Sequence, residues 1–168
     1  MSTARIREEQ PGDEAAIREV VREAFEGAEH SSGTEGAIVD ELRRAGALTI
    51  SLVAVDGADI IGHLAISPVS IPGAEGDWFG FGAVAVRPDR QRQGIGETLI
   101  NQALTRLREL GAAGCVVLGD PPYYARFGFE HDPALTFPDV PPPYFQLICF
   151  GSERPSGAVE YHGAFDAP

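Results

Sequence analysis

Apolar positions recur at helical spacing in three stretches of the chain and at strand-like spacing through most of the remainder. Ala16, Ile17, Val20, Val21, Ala24 and Phe25 share one face of a predicted first helix, with Arg18, Glu19, Arg22 and Glu23 mostly on the other. Pro11, Gly12 and Asp13 supply a turn and an N-cap for it, and Ala4 to Glu8 alternate enough for a strand ahead of it. The Gly- and Ser-rich stretch Glu26 to Gly36 reads as a loop. Thr34 then caps a second helix carrying Ile38, Val39, Leu42 and Ala45, which Gly46 ends. In the third helix Leu99, Ile100, Ala103, Leu104, Leu107 and Leu110 form a single stripe before Gly111.

Between the second and third helices the period shortens to that of strands. "LTISLVAVDG" and "ADIIGHLAISPVSI" are joined by a hairpin turn at Asp56 and Gly57, and "FGFGAVAV" adds a third run ending at Val86. Beyond the third helix, "CVVLGD" is a short continuous apolar run, as in a buried central strand, and "PPYYARFGFE" allows a turn or two of helix. Five prolines in "HDPALTFPDVPPPYFQLICF" exclude a helix there and stiffen the approach to a strand at Tyr144 to Phe150. "GAVEYHGAF" offers a last edge strand. This order predicts a layered architecture of the mixed α/β or α+β class.

Length and composition narrow the class further. The chain has 168 residues, 43% of them hydrophobic and 23% charged, which fits one globular domain over residues 1–168, with a core at about 4–150 and a C-terminal strand and tail at 151–168. Asp and Glu outnumber Lys and Arg by 25 to 13, a balance that repels a phosphate backbone and excludes nucleic acid as a natural partner. Residues 1–16 contain no apolar signal core, and no apolar run approaches the ~18 residues of a membrane span, so a cytoplasmic protein without membrane contact is expected. Cys115 and Cys149 lie among strand-like residues without a nearby base and read as buried free thiols. His30, His131 and His162 are dispersed, so no metal site is expected; His63 alternates within "IIGHLAI" as a core or surface histidine.

Within so acidic a chain, "RPDRQRQGIGETL" concentrates Arg87, Arg90 and Arg92 directly before two glycines and a helix. Glycines at that junction let backbone N–H groups approach an anion at the positive end of the helix dipole. A dinucleotide fingerprint requires a glycine where Leu99 stands, and a P-loop requires Lys and Ser or Thr after Gly96, so both are excluded. What remains is a strand ending near Val86 and Gln91-x-x-Gly94-x-Gly96 entering an amphipathic helix, a diphosphate cradle without a magnesium ligand.

That segment resembles the acetyl-CoA motif of the Gcn5-related N-acetyltransferase (GNAT) superfamily, Gln/Arg-x-x-Gly-x-Gly/Ala. The resemblance implies the GNAT acyl-CoA N-acyltransferase fold, a central mixed, mostly antiparallel sheet flanked by helices, with acetyl-CoA as co-substrate and no metal. It places the amides of Gln91, Arg92, Gln93, Gly94, Ile95 and Gly96 on the coenzyme A pyrophosphate. It also implies a strand splayed from its neighbour, where the backbone of Val84, Ala85 and Val86 meets the pantetheine. The other reading of the two glycines is a tight turn and close helix packing alone. Departures are small: Arg92 and Gln93 stand where Gly or Arg is frequent.

A second match, "YYARFGFE", is similar to the family's Phe/Tyr-Tyr-x-x-x-Gly-Phe. It implies that Tyr124 protonates the thiolate released when an amine attacks the thioester. The alternatives are that Tyr124 only packs its ring, or that Tyr123 is the acid. "LGDPPYYARFGFE" and "TEGAIVDELR" together look most like the YhbS-like subgroup of predicted acetyltransferases, and the resemblance covers about residues 4 to 150. The function implied is N-acetyl transfer to a primary amine of a small molecule or peptide. The second reading, from a different class, is a regulatory module that holds acyl-CoA without turnover. Glu35 is a candidate base, set against the simpler role of favouring a helix dipole; Asp120 most simply ends a strand. Family members are often dimers, which makes a homodimer an expectation here.

Overall fold

The computed structural model describes residues 4–26, 35–137, 140–151 and 154–163. Strand β1 (Arg5–Glu8) leads into helices α1 (Glu14–Phe25) and α2 (Glu35–Arg44), then strands β2 (Ile50–Asp56), β3 (Asp59–Ser70) and β4 (Trp78–Val86). Helix α3 (Ile95–Glu109) is followed by β5 (Gly114–Leu118), the short helix α4 (Pro121–Ala125) and β6 (Leu135–Thr136). Strands β7 (Phe145–Cys149), β8 (Gly157–Ala158) and β9 (Glu160–Tyr161) complete the order. The main sheet runs β1-β2-β3-β4-β5-β7, with β9 added to β3, and β4 with β5 is its parallel pair.

Strand alternation sends successive side chains of β2 to opposite faces, and each face meets its own helices. Leu52 and Ala54, with Ile61, Leu64 and Ile66 of β3, pack under Ile95, Leu99, Ile100, Ala103, Leu104 and Leu107 of α3. Val53 and Val55, with Ala65 and Ala85, pack under Ile17, Val20 and Val21 of α1 and Val39 of α2. The predicted stripes hold except at three positions. Leu110 is 58% exposed because it is the C-cap, past the last turn that covers the sheet. Ala16 is also exposed, at the edge of its helical face, and so is Ala45, which falls in the turn just past the end of α2. Asp13 occupies the N-cap of α1 without capping it; its carboxylate takes the Arg7 guanidinium and the Gln10 N–H, each at 2.8 Å. The proposed cap Thr34 lies outside the described residues. The final edge strand is divided because its two halves take different partners, β8 pairing with β6 and β9 with β3, with Val159 buried between them.

One irregularity in β4 opens the sheet beside α3. Leu64 pairs with Val84 and Ile66 with Phe81, so β4 takes three steps where β3 takes two, a bulge at Gly82 and Ala83. Beyond the bulge β4 leaves β5: their pairing is confined to Trp78–Gly80 against Gly114–Val116. The second half of β4 therefore turns an unpaired edge toward α3 and α4.

A polar chain pins α2 to the sheet. Arg43 grips Glu9 with two nitrogens at 2.7 and 2.9 Å, Ser51 Oγ donates to Glu9 Oε1 at 2.7 Å, and His63 Nε2 lies 2.8 Å from Ser51 Oγ. A carboxylate only accepts, so the single Ser51 hydrogen is committed to Glu9, and Ser51 must accept from His63 Nε2–H. His63 Nδ1 is then a bare acceptor, fully buried and without a hydrogen-bond partner among the described residues. Burial alone would raise the Glu9 carboxyl, but Arg43 and Ser51 prevail and hold it below the usual range. Burial lowers His63 to about 4, against the opposing pull of Glu9 and with a smaller push from Arg43.

Between the ordinary histidine value and about 4, the unfolded chain binds a proton that the folded chain refuses, so stability rises with pH in that window. His63 is expected to cost about 3 kcal/mol of stability on acidification from pH 7 to below 4. Urea unfolding at several pH values checks this against His63→Gln, which does not titrate. Parallel pH curves for the two proteins would remove His63 from the effect.

Candidate active site

The unpaired edge of β4, the start of α3 and α4 enclose a cleft of about 590 Å³. Its lining includes Val84, Val86, Arg90, Gln91, Arg92, Gly94, Ile95, Gly96, Tyr123, Tyr124 and Arg126. Arg87 N–H bonds to Ile61 O, so the antiparallel alternation turns the backbone groups of Ala85 toward β3 and those of Val84 and Val86 toward the cleft. The Ala85 side chain is likewise buried under α1 and α2. Val86 O already receives Gln91 Nε2 at 3.0 Å, which folds the segment after β4 back against the strand.

The glycine segment enters α3 through Gly94, whose φ of 81° lies in the left-handed region. The helical ladder begins with Thr98 N–H to Gly94 O at 3.0 Å, so the amides of Ile95, Gly96 and Glu97 precede it, at the positive end of the helix dipole. A side chain on Gly96 would put its Cβ 3.3 Å from Tyr123 Oη. Arg92, with φ 65°, is the one non-glycine residue with positive φ among the described residues, and it sits in this loop. Gln93 turns elsewhere and accepts from Arg90 Nε at 3.1 Å.

The basic cluster read from the sequence is only partly directed at the cleft. Arg87 is engaged by Asp89 at 2.6 Å, and Arg90 reaches the lining while held by Asp56 at 2.7 Å. Sequence spacing missed Arg126, which enters from α4's C-cap, pairs with Glu97 at 2.8 Å and lies over the Tyr123 ring at 5.4 Å. Its signal was a cation two residues after the tyrosines; its meaning depended on α4 packing beside α3.

Helix α4 is a single turn begun by Pro121, where a missing N–H costs nothing. Tyr124 is clasped by aromatic edges: Tyr123 at 5.1 Å and Phe129 at 5.7 Å between ring centroids. Phe129 in turn meets Phe81, next to the β4 bulge, at 5.5 Å. Gly119 completes the seat, because a Cβ there would lie 2.2 Å from the Tyr124 ring. Burial, and then neighbouring Tyr123, push the Tyr124 hydroxyl up to about 12, so it stays protonated at neutral pH.

A second cleft of about 470 Å³ opens between the sheet and α1 and α2, lined by Phe25, Ile38, Val39, Leu42, Ala65 and Phe81 among others. Val84 and Tyr124 line both clefts. Glu35 opens α2, but its side chain lies outside the described residues, as does His30. Among the described residues no group of three or more His, Cys, Asp or Glu is arranged to hold a metal, and no helix is long and apolar enough to cross a membrane. Cys115 and Cys149 are free thiols, and burial raises both.

Residues 5–131 match the family model described as the acetyltransferase (GNAT) domain. The chain belongs to the GNAT acetyltransferase family. It is 36% identical to the N-acetyltransferase YhbS of Escherichia coli K12, over 96% of this chain and 98% of that protein. A GNAT acetyltransferase from Brucella melitensis, solved in complex with acetyl-CoA, superposes with a TM-score of 0.87 at 48% identity, covering 99% and 100% of the two chains. Escherichia coli YhbS, solved with CoA, superposes with a TM-score of 0.88 over 97% of this chain and 92% of that one. The mixed, mostly antiparallel sheet flanked by helices is thus the GNAT fold, as the motifs implied. The splayed strand that the GNAT resemblance implied corresponds to β4 beyond its bulge.

Proposed function

We propose that this chain transfers an acetyl group from acetyl-CoA to a primary amine of a small molecule or peptide by direct attack, with Tyr124 as proton donor to the leaving sulfur. The observation that carries the reading is the junction of two clefts at Val84 and Tyr124. One cleft ends in a helix N-terminus suited to a pyrophosphate and the other is lined by the sheet, α1 and α2, an arrangement that supports a thioester and an amine meeting beside Tyr124. The acetyl-CoA complex of the Brucella relative supports the choice of donor. A buried, protonated Tyr124 where the two clefts meet supports turnover over the regulatory reading, since a protein that merely held acyl-CoA needs no proton donor beside sulfur.

The amides of Ile95 and Gly96, with Arg92 and Arg126 at the rim, would hold the pyrophosphate. Val84 and Val86 would pair with pantetheine amides through their cleft-facing backbone, and Gln93 and Ala85 support the cradle from behind. The amine nitrogen bonds to the acetyl carbon, the carbon–sulfur bond breaks, and sulfur keeps the electron pair. An ordinary thiol titrates near 8.5, well below Tyr124, so lasting transfer from the tyrosine to sulfur is uphill. Tyr124 therefore donates to sulfur while regaining the proton that the nitrogen sheds, and ends each cycle unchanged.

Calorimetric titration of acetyl-CoA, followed by thiol release across a panel of amines, tests the proposal. We expect saturable binding and amine-dependent release of CoA. No binding at millimolar acetyl-CoA would end both readings; tight binding without release in any amine would transfer support to the regulator. We place the protein in the cytoplasm as a single domain, possible homodimers being decided by sedimentation.

A further inference from the structure

We propose that the second cleft selects a small primary amine bearing one amino group on an aromatic or branched aliphatic body, in preference to polyamines and lysine side chains. The inference rests on the acetyl-transfer reading and adds the acceptor's class. The cleft holds roughly fifteen water volumes, enough for a small molecule rather than a folded surface. Phe25, Ile38, Val39, Leu42, Phe81 and Leu118 form its walls, and no carboxylate occurs among its described lining residues. An apolar wall of this kind gains about 25 cal/mol for each Å² of hydrocarbon it covers. A second ammonium buried there would meet no carboxylate among the described lining residues, which is strongly unfavourable.

The same walls bear on the chemistry. Only the neutral amine attacks, and an apolar environment lowers an amine's pKa by penalising its charged form. The pocket thus supplies part of what a base would supply, provided the ligand brings one amino group and no other cation. On β3, alternation places His63 and Ser67 on the same face as Ala65, one step to either side, and Ala65 lines the cleft. Both are fully buried, and His63 Nδ1 and Ser67 Oγ have no hydrogen-bond partner among the described residues. Neither lines the cleft, and neither brings a negative charge toward it that would favour a polycation.

The test measures CoA release from acetyl-CoA with 2-phenylethylamine, isopentylamine, spermidine and a lysine-containing peptide at fixed pH. Values of kcat/KM at least tenfold higher for the first two are expected. Higher values for spermidine or the peptide would overturn the acceptor class while leaving acetyl transfer intact. A preference for hexanoyl-CoA over acetyl-CoA would assign the cleft to the acyl chain and overturn the inference as well. Failure of every amine would instead remove the acetyl-transfer reading, and this inference with it. Leu118→Glu provides a second arm, since Leu118 is 38% exposed and its replacement should not unfold the protein. It is expected to lower kcat/KM for 2-phenylethylamine about tenfold, to raise it for spermidine, and to leave acetyl-CoA affinity within twofold. An unchanged ratio between the two amines would count against the pocket as the selector. Ile38→Glu, on the facing wall, repeats the measurement from α2.

Discussion

Tyr124→Phe is expected to lower kcat by roughly 10²-fold while changing the Kd of CoA by no more than about twofold. The ring stays, with its edge contacts to Tyr123 and Phe129, so the wall shared by the two clefts keeps its shape. What goes is one hydroxyl that burial keeps protonated far above neutral pH. Because Tyr124 titrates at about 12, its ionisation gives the wild-type rate no alkaline limb below pH 10. Pre-steady-state acetyl transfer with the best amine, paired with calorimetry, separates chemistry from binding. A variant with wild-type kcat would leave Tyr124 a packing residue and reopen the case for Tyr123.

The seat of the ring can be tested through Gly119. A methyl group there would stand 2.2 Å from the Tyr124 ring, closer than any packing allows, so Gly119→Ala must move the ring. Its effect on kcat should largely vanish in the Tyr124→Phe background, since a displaced hydroxyl and a missing one are the same loss. Full additivity would assign Gly119 to stability alone.

Gly96→Val is expected to weaken CoA binding about 50-fold, close to 2.3 kcal/mol, with the larger share of any remaining activity lost through KM. The new side chain enters a space where even its Cβ lies 3.3 Å from Tyr123 Oη, and it covers the amides that precede the helical ladder. Gly94→Val should act differently. No atom crowds a Cβ there, but the φ of 81° puts a β-branched residue in a strained conformation, so stability falls together with affinity. Thermal melts with and without CoA, beside calorimetry, distinguish the two. Retained affinity in Gly96→Val would contradict the cradle.

Sequence reasoning reached those features that a local pattern encodes. Gln91, Gly94 and Gly96 could be singled out in the sequence because an anion cradle at a helix start needs residues of fixed type at fixed spacing, and all three line the first cleft. The α3 stripe was legible for the same reason, up to Leu110, where the helix leaves the sheet. Arg126, Gly119 and the Glu9–Ser51–His63 chain were not, since each acquires its role from partners 5 to 42 residues away in sequence.

The sequence by itself determined the elements, the excluded phosphate motifs, the family and the tyrosine pair, all of which depend on neighbours within a few residues. Only the tertiary structure decided that Ala85 faces away while Val84 and Val86 face the cleft, that Arg87 is spent on Asp89, and that a second, apolar cleft meets the first at Tyr124. The reason is physical. A single bulge at Gly82 and Ala83 sets which strand edge is left open, and its consequence is fixed by β3, β5 and α4 rather than by the residues that form it.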